Sequence, residues 1–269
     1  MITYANFKII YDEVEQAVKD TYSAAQANEK KQNDFVCLLA RADYHEIPLP
    51  GYSPYSIDDI RDLSKDKDRL DFLQEFLTFN YGFPEGRSSR DDNKFLAIEL
   101  MSYTHIWESK PLYRILCRLA ELSSGLDYSW KIDVPDYGKT KWLTDNIVTP
   151  FRTSVPSIHA VIEKGYHRQL RNAFAHSEFS FTWHSGHISL FNYKGKTDEI
   201  EELTFNEWTI RFCYSFLLDY FMYSYLDDTR RNVDKIYGTS VLPIQYPTSS
   251  GYITKDIVYR KDNDMFQFQ

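Results

Sequence analysis

The sequence predicts a mainly α-helical protein, a helical bundle with one β-hairpin inserted before its last long helix. Two observations support this prediction. Apolar residues recur every three or four positions over several long segments, which is the period of a buried helix face. One segment alternates with a period of two around a glycine turn. At 269 residues the chain is long enough for one large domain or two small ones.

The first half of the chain is predicted to be almost entirely helical. Apolar periodicity predicts helices at 5–30, 56–80 and 94–109, with a short apolar run at 35–39. The second of these begins with Ser56 followed three residues later by Asp59, a helix-start pattern. Pro111 either kinks the third helix or opens a further one that reaches Leu122. Proline, glycine or polar residues interrupt regular structure at 47–51, 82–92 and 123–141.

The second half predicts one helix from after Pro156 to near Ser177, then a hairpin over about 179–193 that turns at Ser185-Gly186. Thr204 and Glu207 form a capping-box pattern before an aromatic helix at 208–226. Extended segments are expected at 240–242 and 257–259. We therefore expect an N-terminal helical extension (1–55), a central helical domain (56–226) and a C-terminal tail (227–269) that packs on that domain.

The charge of the chain is acidic, with 31 Lys and Arg against 39 Asp and Glu. This balance excludes a basic field over the whole surface for grasping nucleic acid. Residues 152–176 are the exception, because Arg152, Lys164, Arg168 and Arg171 outnumber Glu163 by three charges. His159, His167 and His176 lie in the same stretch and could add to it.

The remaining composition predicts a cytoplasmic protein without metal or cofactor. Three widely spaced cysteines fit buried thiols in a reducing compartment. No secretory signal is evident, and charges interrupt the most apolar stretch, so no membrane association is expected. His184 and His187 flank the hairpin turn, but the absence of a nearby cysteine disfavours a metal site. No phosphate-binding glycine loop, nucleophile elbow or carboxylate cluster with metal spacing is found.

The segment Arg171-Asn172-Ala173-Phe174-Ala175-His176-Ser177 carries the strongest chemical signal. An arginine clamps a phosphate through a rigid fork of donors, and a histidine moves a proton near neutral pH. Their combination, within six residues near a predicted helix end, indicates phosphodiester chemistry without a metal.

The pattern Arg171-Asn172-x-x-x-His176, late in a bundle helix and followed by another helix, resembles the HEPN superfamily (higher eukaryotes and prokaryotes nucleotide-binding). That superfamily is defined by an arginine, four to six intervening residues and a histidine. The resemblance covers about 57–226, with the motif as its one sharp match. Some members carry a modified tyrosine two positions after the histidine, whereas this chain has Glu178 there.

The resemblance implies a HEPN-like helical fold and a metal-independent endoribonuclease, of the kind found in toxins and antiviral defence effectors, with RNA as substrate. His176 would assist attack of a ribose 2′-hydroxyl on the adjacent phosphate, and Arg171 would stabilise the phosphoryl oxygens. Asn172 would orient the pair or contact substrate. The product would carry a 2′,3′-cyclic phosphate. An antitoxin or another defence-system partner is also possible under this resemblance.

Helix geometry bears on the same motif independently. At about 100° per residue, Arg171 and His176 lie about 140° apart on an ideal helix, so they would not face one atom. Either the helix loosens at its end, or a second copy of the chain completes the site. Isologous dimers are the commonest oligomers, and we expect a homodimer through the motif helix.

Other polar residues near the motif are weaker candidates. Arg168, Lys164 and His167 could position substrate, although a solvated helix face explains the first two as well. Family members often add a polar residue from a preceding helix, and Glu108 or Lys110 could supply it. A histidine at a helix end is also favoured by the helix dipole alone. The alternative function is therefore a catalytically silent HEPN-like module that binds RNA, a nucleotide or a partner protein.

Overall fold

A computed structural model describes residues 2–44, 57–83 and 93–269 of the chain. The predicted break at 47–51 and the predicted helix-start residue Ser56 lie outside these ranges. More than half of the described residues are helical, and two small antiparallel sheets account for the strands. The prediction of a mainly α-helical protein is thus confirmed.

The helices in chain order are α1 (Tyr4–Ala27), α2 (Asp34–Ala40), α3 (Ile60–Asn80), α4 (Asn93–Ile106), α5 (Lys110–Ser123), α6 (Lys139–Leu143), α7 (Thr149–Ser154), α8 (Pro156–Gly165), α9 (Arg168–Ala175), α10 (Phe205–Arg231) and α11 (Val233–Tyr237). A π-helical turn, Thr144–Val148, joins α6 to α7. The strands are β1 (Phe179–Thr182), β2 (His187–Leu190), β3 (Glu202–Thr204), β4 (Val241–Thr248), β5 (Gly251–Arg260) and β6 (Met265–Phe268).

The described chain divides into two compact units, each built from three segments. Unit 1 comprises residues 2–17, 72–83 with 93–109, and 157–221. Unit 2 comprises residues 18–44 with 57–71, 110–156 and 222–269. The bounds of these units fall within α1, α3 and α10, between α4 and α5, and after the first residue of α8. The predicted boundary at 55/56 lies outside the described residues, and the predicted boundary at 226/227 lies within α10.

Unit 1 contains the predicted hairpin. β1 pairs with β2 so that Phe179 lies opposite Leu190, and β3 extends the sheet in the order β1-β2-β3. Gly186 has a positive φ of 71°, which explains why glycine suits the turn. The predicted capping box is also present, because Thr204 and Glu207 bond reciprocally at the start of α10.

Unit 2 contains the second sheet, β4-β5-β6, formed by the C-terminal tail. Its core includes fully buried arginines rather than apolar residues alone. Arg230, at the end of α10, pairs with Asp58 and Asp264 and donates to the carbonyl of Leu39. Buried charges of this kind are tolerated because each is paired and hydrogen-bonded.

Two sequence predictions about helix bounds are settled by the structure. α4 ends at Ile106 and α5 begins at Lys110, so Pro111 opens a separate helix. The prediction of one helix from Pro156 to Ser177 is wrong, because α8 ends at Gly165 and α9 begins at Arg168.

The three cysteines are free and buried. Among the helices in the described ranges, none is both long and apolar enough to cross a membrane.

Candidate functional site

A break between α8 and α9 sets the position of the motif helix. The hydroxyl of Tyr103 on α4 donates to the carbonyl of Gly165 (3.1 Å) and accepts from the backbone N–H of His167 (2.8 Å). It therefore satisfies two backbone groups that the break leaves without helical partners. Arg211 on α10 donates to the carbonyl of Tyr166 (3.3 Å), near the end of α8.

Gly165 is required at this break by a close approach of two helices. A Cβ added to Gly165 would lie 2.8 Å from the side-chain oxygen of Ser215 on α10 and 3.1 Å from its backbone nitrogen. The same Ser215 oxygen accepts a hydrogen bond from the indole of Trp107 (2.9 Å). Because Trp107 is fully buried, it anchors the turn that follows α4.

The buried face of α9 packs into an aromatic cluster. Phe174 contacts Tyr103 and Trp208 edge to face, with ring centroids 6.0 and 5.0 Å apart. Leu170 and Ala173 share this face and are fully buried. The periodicity of a core-facing helix explains the burial, and it turns Arg171 and Asn172 toward the half-buried flank.

Arg171 is held by an acidic partner from the turn after α4. Its Nη1 lies 2.5 Å from Oε1 of Glu108, and the two side chains are 14% and 31% exposed. A charge-assisted bond in this partly buried setting orients the guanidinium more firmly than an exposed pair would. Of the two predicted auxiliary residues, the structure therefore brings Glu108 to Arg171.

The end of α9 presents His176 to solvent. His176 caps the helix, and its backbone N–H donates to the carbonyl of Asn172 (3.0 Å). Ser177 follows with a positive φ of 57°, while the backbone N–H of Glu178 donates to the carbonyl of Ala173 (2.8 Å). The bond from Glu178, together with the bond from the backbone N–H of Ser177 to the carbonyl of Phe174 (3.4 Å), forms a Schellman motif, which stops the helix directly after the histidine.

The other predicted residues have separate environments. Lys164 pairs with Glu13 at 2.5 Å and lies 3.3 Å from the hydroxyl of Tyr214, while Arg168 is exposed. Burial, reinforced by the charge of Arg211, lowers the pKa of His167, so its imidazole is neutral at neutral pH. His167 thus adds no positive charge to the motif at that pH.

Lys110 is bonded to Asp136. Its Nζ lies 2.6 Å from the Oδ1 atom of Asp136, and both side chains are exposed. Both residues belong to unit 2. Surface pairs of this kind contribute little to stability.

A groove of about 340 Å³ lies between α4 and the end of α9. Ala97, Met101 and His105 line it from α4, and Ala175, Ser177 and Phe179 line it from α9 and β1. Met101 is 63% exposed. The groove is therefore lined by the residues before and after His176, whereas Arg171 and His176 themselves are not among its lining residues; its rim at Met101 is apolar.

Sequence reasoning missed three residues that organise this region. Tyr103 bridges the helix break, and Phe181 and Trp183 extend a row of aromatic rings from Phe179 along the hairpin. The alternation of aromatic residues at 179, 181 and 183 is visible in the sequence, but it indicates a strand and not a binding surface. No sequence pattern links Tyr103 to the break before the motif helix, since its bonds to Gly165 and His167 are made across 62 and 64 positions.

Comparisons of this chain with protein-family models, curated proteins and solved structures find no match. Within the ranges that the structure describes, no group of three or more histidine, cysteine, aspartate or glutamate side chains is arranged to hold a metal ion.

Proposed function

We propose that this protein is a HEPN-type endoribonuclease that cleaves RNA without a metal, as a toxin or antiviral defence effector. In the reaction His176 moves the proton of the attacking ribose 2′-hydroxyl, and Arg171 stabilises the charge that gathers on the phosphate. Asn172 contacts the substrate or orients the side chains of Arg171 and His176. As the 2′-oxygen bonds to phosphorus, the bond from phosphorus to the 5′-oxygen breaks, and that oxygen takes up a proton from water. The product ends in a 2′,3′-cyclic phosphate.

The observation that carries this proposal is the arrangement of α9. One short helix holds an arginine fixed by Glu108 and ends on an exposed histidine beside an open groove. A fixed guanidinium is preorganised for a phosphate, and an exposed imidazole is accessible for proton transfer. Ala173 and Phe174, between the two groups, are buried and fix the helix against the core.

We propose that the active form is a homodimer through α9. His176 lies five residues after Arg171, which separates their directions by about 140° on a regular helix. A second copy placed on the apolar rim of the groove, around Met101, would bring another motif to the same cleft. Three buried free thiols support a reducing, cytoplasmic location for this dimer.

A second candidate function is a catalytically silent module of the same type that binds RNA, a nucleotide or a partner protein. The ion pair of Arg171 with Glu108 favours it, because a phosphate must compete with a carboxylate that already occupies the guanidinium. The acidic charge of the whole chain favours it as well.

The test is cleavage of a mixed single-stranded RNA in the presence of EDTA. We expect the native protein to produce 2′,3′-cyclic phosphate ends, and His176→Ala and Arg171→Ala each to lower the rate by at least about a hundredfold. Replacing the ribose by 2′-deoxyribose at the cleaved position abolishes the nucleophile and with it the reaction.

Matched controls separate chemistry from folding. His159→Ala and Arg152→Ala remove the same side-chain types outside the motif and are expected to leave the rate unchanged. Circular dichroism checks that each variant is folded. Cleavage that survives both motif substitutions rejects the site, and RNA binding without cleavage by the native protein supports the silent module.

A further inference from the structure

A row of aromatic rings extends from the motif along β1, which is an edge strand of the first sheet within the described part of the chain. Phe179, Phe181 and Trp183 follow one another on β1 and its turn, with centroids 5.5 and 4.7 Å apart. Phe205, at the start of α10, lies 5.3 Å from Trp183 and 6.3 Å from Phe181. We call these four residues the aromatic row.

The aromatic row is accessible, although its inner rings touch the core. β1 is an edge strand, since the sheet order is β1-β2-β3. Phe179, Phe181 and Phe205 are half-buried, and Trp183 is 41% exposed. A ring placed only for core packing is covered by its neighbours, whereas Trp183 contacts Phe181 and Phe205 and remains largely accessible.

The aromatic row is also continuous with the motif. Phe179 lines the groove that Ala175 and Ser177 line on either side of His176. From there the rings lead away from the motif to Trp183 at the hairpin turn. A strand whose phosphate lies at His176 would therefore have its neighbouring bases over the row.

The chemistry of the hairpin suits a single-stranded nucleic acid. Bases stack on aromatic rings whatever their sequence, because every base has a π-face. Between 179 and 187 the chain carries no acidic residue, although Glu178 directly precedes this stretch and Glu207 on α10 interacts electrostatically with His187; His184 and His187 offer ring N–H donors for phosphates. The acidic Glu202 lies on β3, at the opposite edge of the sheet.

We propose that the aromatic row is a base-stacking platform that binds single-stranded RNA next to the cleaved phosphate. This inference rests on the proposed function, because it assigns the platform to the substrate of the same site. The ring of Trp183 stacks on a base of the RNA. Because a base within a duplex has no free face for stacking, the platform prefers unpaired strands.

The experiment measures binding of fluorescein-labelled oligo(dT) to the full-length native protein by anisotropy. The deoxy strand lacks the 2′-hydroxyl nucleophile, so binding is measured without cleavage. We expect Trp183→Tyr to bind like the native protein and Trp183→Leu, which keeps apolar bulk but loses the ring, to bind about tenfold more weakly. Phe191→Leu is the matched control, because Phe191 is 66% exposed just after β2 and lies outside the row; it should bind normally.

The tryptophan signal gives a second readout. Trp183 is the most exposed of the tryptophans, so stacking of a base is expected to quench its fluorescence, and Trp183→Tyr should lose most of that quenching. A duplex of the same length is expected to cause little quenching.

Each outcome decides one proposal. Equal affinity of Trp183→Leu and the native protein, or no binding of oligo(dT) and oligo(U) at all, overturns the platform. A fall in molar mass on Trp183→Leu, measured by light scattering, also overturns it, because the row would then be a protein interface. Binding that depends on the ring of Trp183, without any RNA cleavage, supports the platform and rejects the ribonuclease. RNA cleavage at the same rate in Trp183→Leu and the native protein supports the ribonuclease and rejects the platform.

Discussion

At the scale of single residues, a buried carboxyl in unit 1 couples stability to pH. Glu99 on α4 accepts hydrogen bonds from the hydroxyl of Tyr81 (2.7 Å) and from the indole of Trp208 (2.9 Å). Burial raises the pKa of Glu99 to about 7, although both hydrogen bonds oppose that rise. The pair of donors therefore orients the carboxyl without keeping it ionised.

The sign of the pH effect follows from proton uptake. In the unfolded chain Glu99 loses its proton near its ordinary pKa of 4.5, whereas in the folded protein it keeps the proton up to about pH 7. Stability from this group therefore falls as pH rises between these values and is constant above them. The total change is on the order of 3 kcal/mol in the free energy of unfolding.

We expect Glu99→Gln to remove this fall, because an amide does not ionise. Urea unfolding at several pH values between 4.5 and 7.5 measures it. The control is Glu75→Gln, an exposed carboxyl on α3, which should leave the pH dependence in place. A parallel pH dependence in Glu99→Gln and the native protein would contradict the assignment.

The ion pair of Arg171 and Glu108 is a second feature that depends on individual side chains. Each residue was a candidate by sequence, but 63 positions separate them and only the fold brings them together. The carboxylate orients the guanidinium and also competes with any phosphate for it. Both proposed functions must therefore account for the same contact.

At the scale of elements, the end of α9 carries a strained residue. Ser177 occupies the left-handed conformation, with φ of 57°, that glycine usually supplies in a Schellman motif. We expect Ser177→Gly to raise the free energy of unfolding by about 1 kcal/mol, because glycine lacks the Cβ that crowds this conformation. A urea titration followed by circular dichroism measures the gain.

Ser177→Ala is the control for that prediction, since it removes the hydroxyl but retains the Cβ. It should give no gain. If alanine and glycine stabilise the protein equally, the hydroxyl and not the backbone conformation is responsible.

The helices and strands also show which features local sequence patterns can predict. The capping box at Thr204 and Glu207 and the turn at Gly186 were predicted correctly, because each depends on residues that are near neighbours in the chain. The break between α8 and α9 was not predicted, because its cause is distant. Gly165 approaches Ser215 on α10, and the hydroxyl of Tyr103 on α4 replaces the missing helical bonds.

At the scale of the whole molecule, the proposed dimer gives the last prediction. Met101 lies at the exposed apolar rim of the groove beside the motif. We expect Met101→Glu to convert the dimer to a monomer and to lower RNA cleavage by at least about tenfold, because a charge would be buried at the interface. Light scattering and cleavage measured on the same samples test both effects.

Ile236→Glu provides the matched control, since Ile236 is an exposed apolar residue of unit 2. It should leave both mass and rate unchanged. Full ribonuclease activity in a strictly monomeric state would contradict the composite site.

The sequence alone determined the local features of this protein. These are the mainly helical class, the hairpin, the capping box and the motif of Arg171 and His176. A helix that starts at Pro111 was one of two alternatives that the sequence allowed. Such features depend on periodicity and on neighbours a few positions apart. The tertiary structure alone decided which side chains meet. It paired Arg171 with Glu108 and Lys164 with Glu13, and it interrupted the motif helix at Gly165. The physical reason is that partners of buried and charged groups are set by packing between distant segments, for which the spacing of residues along the chain carries no signal.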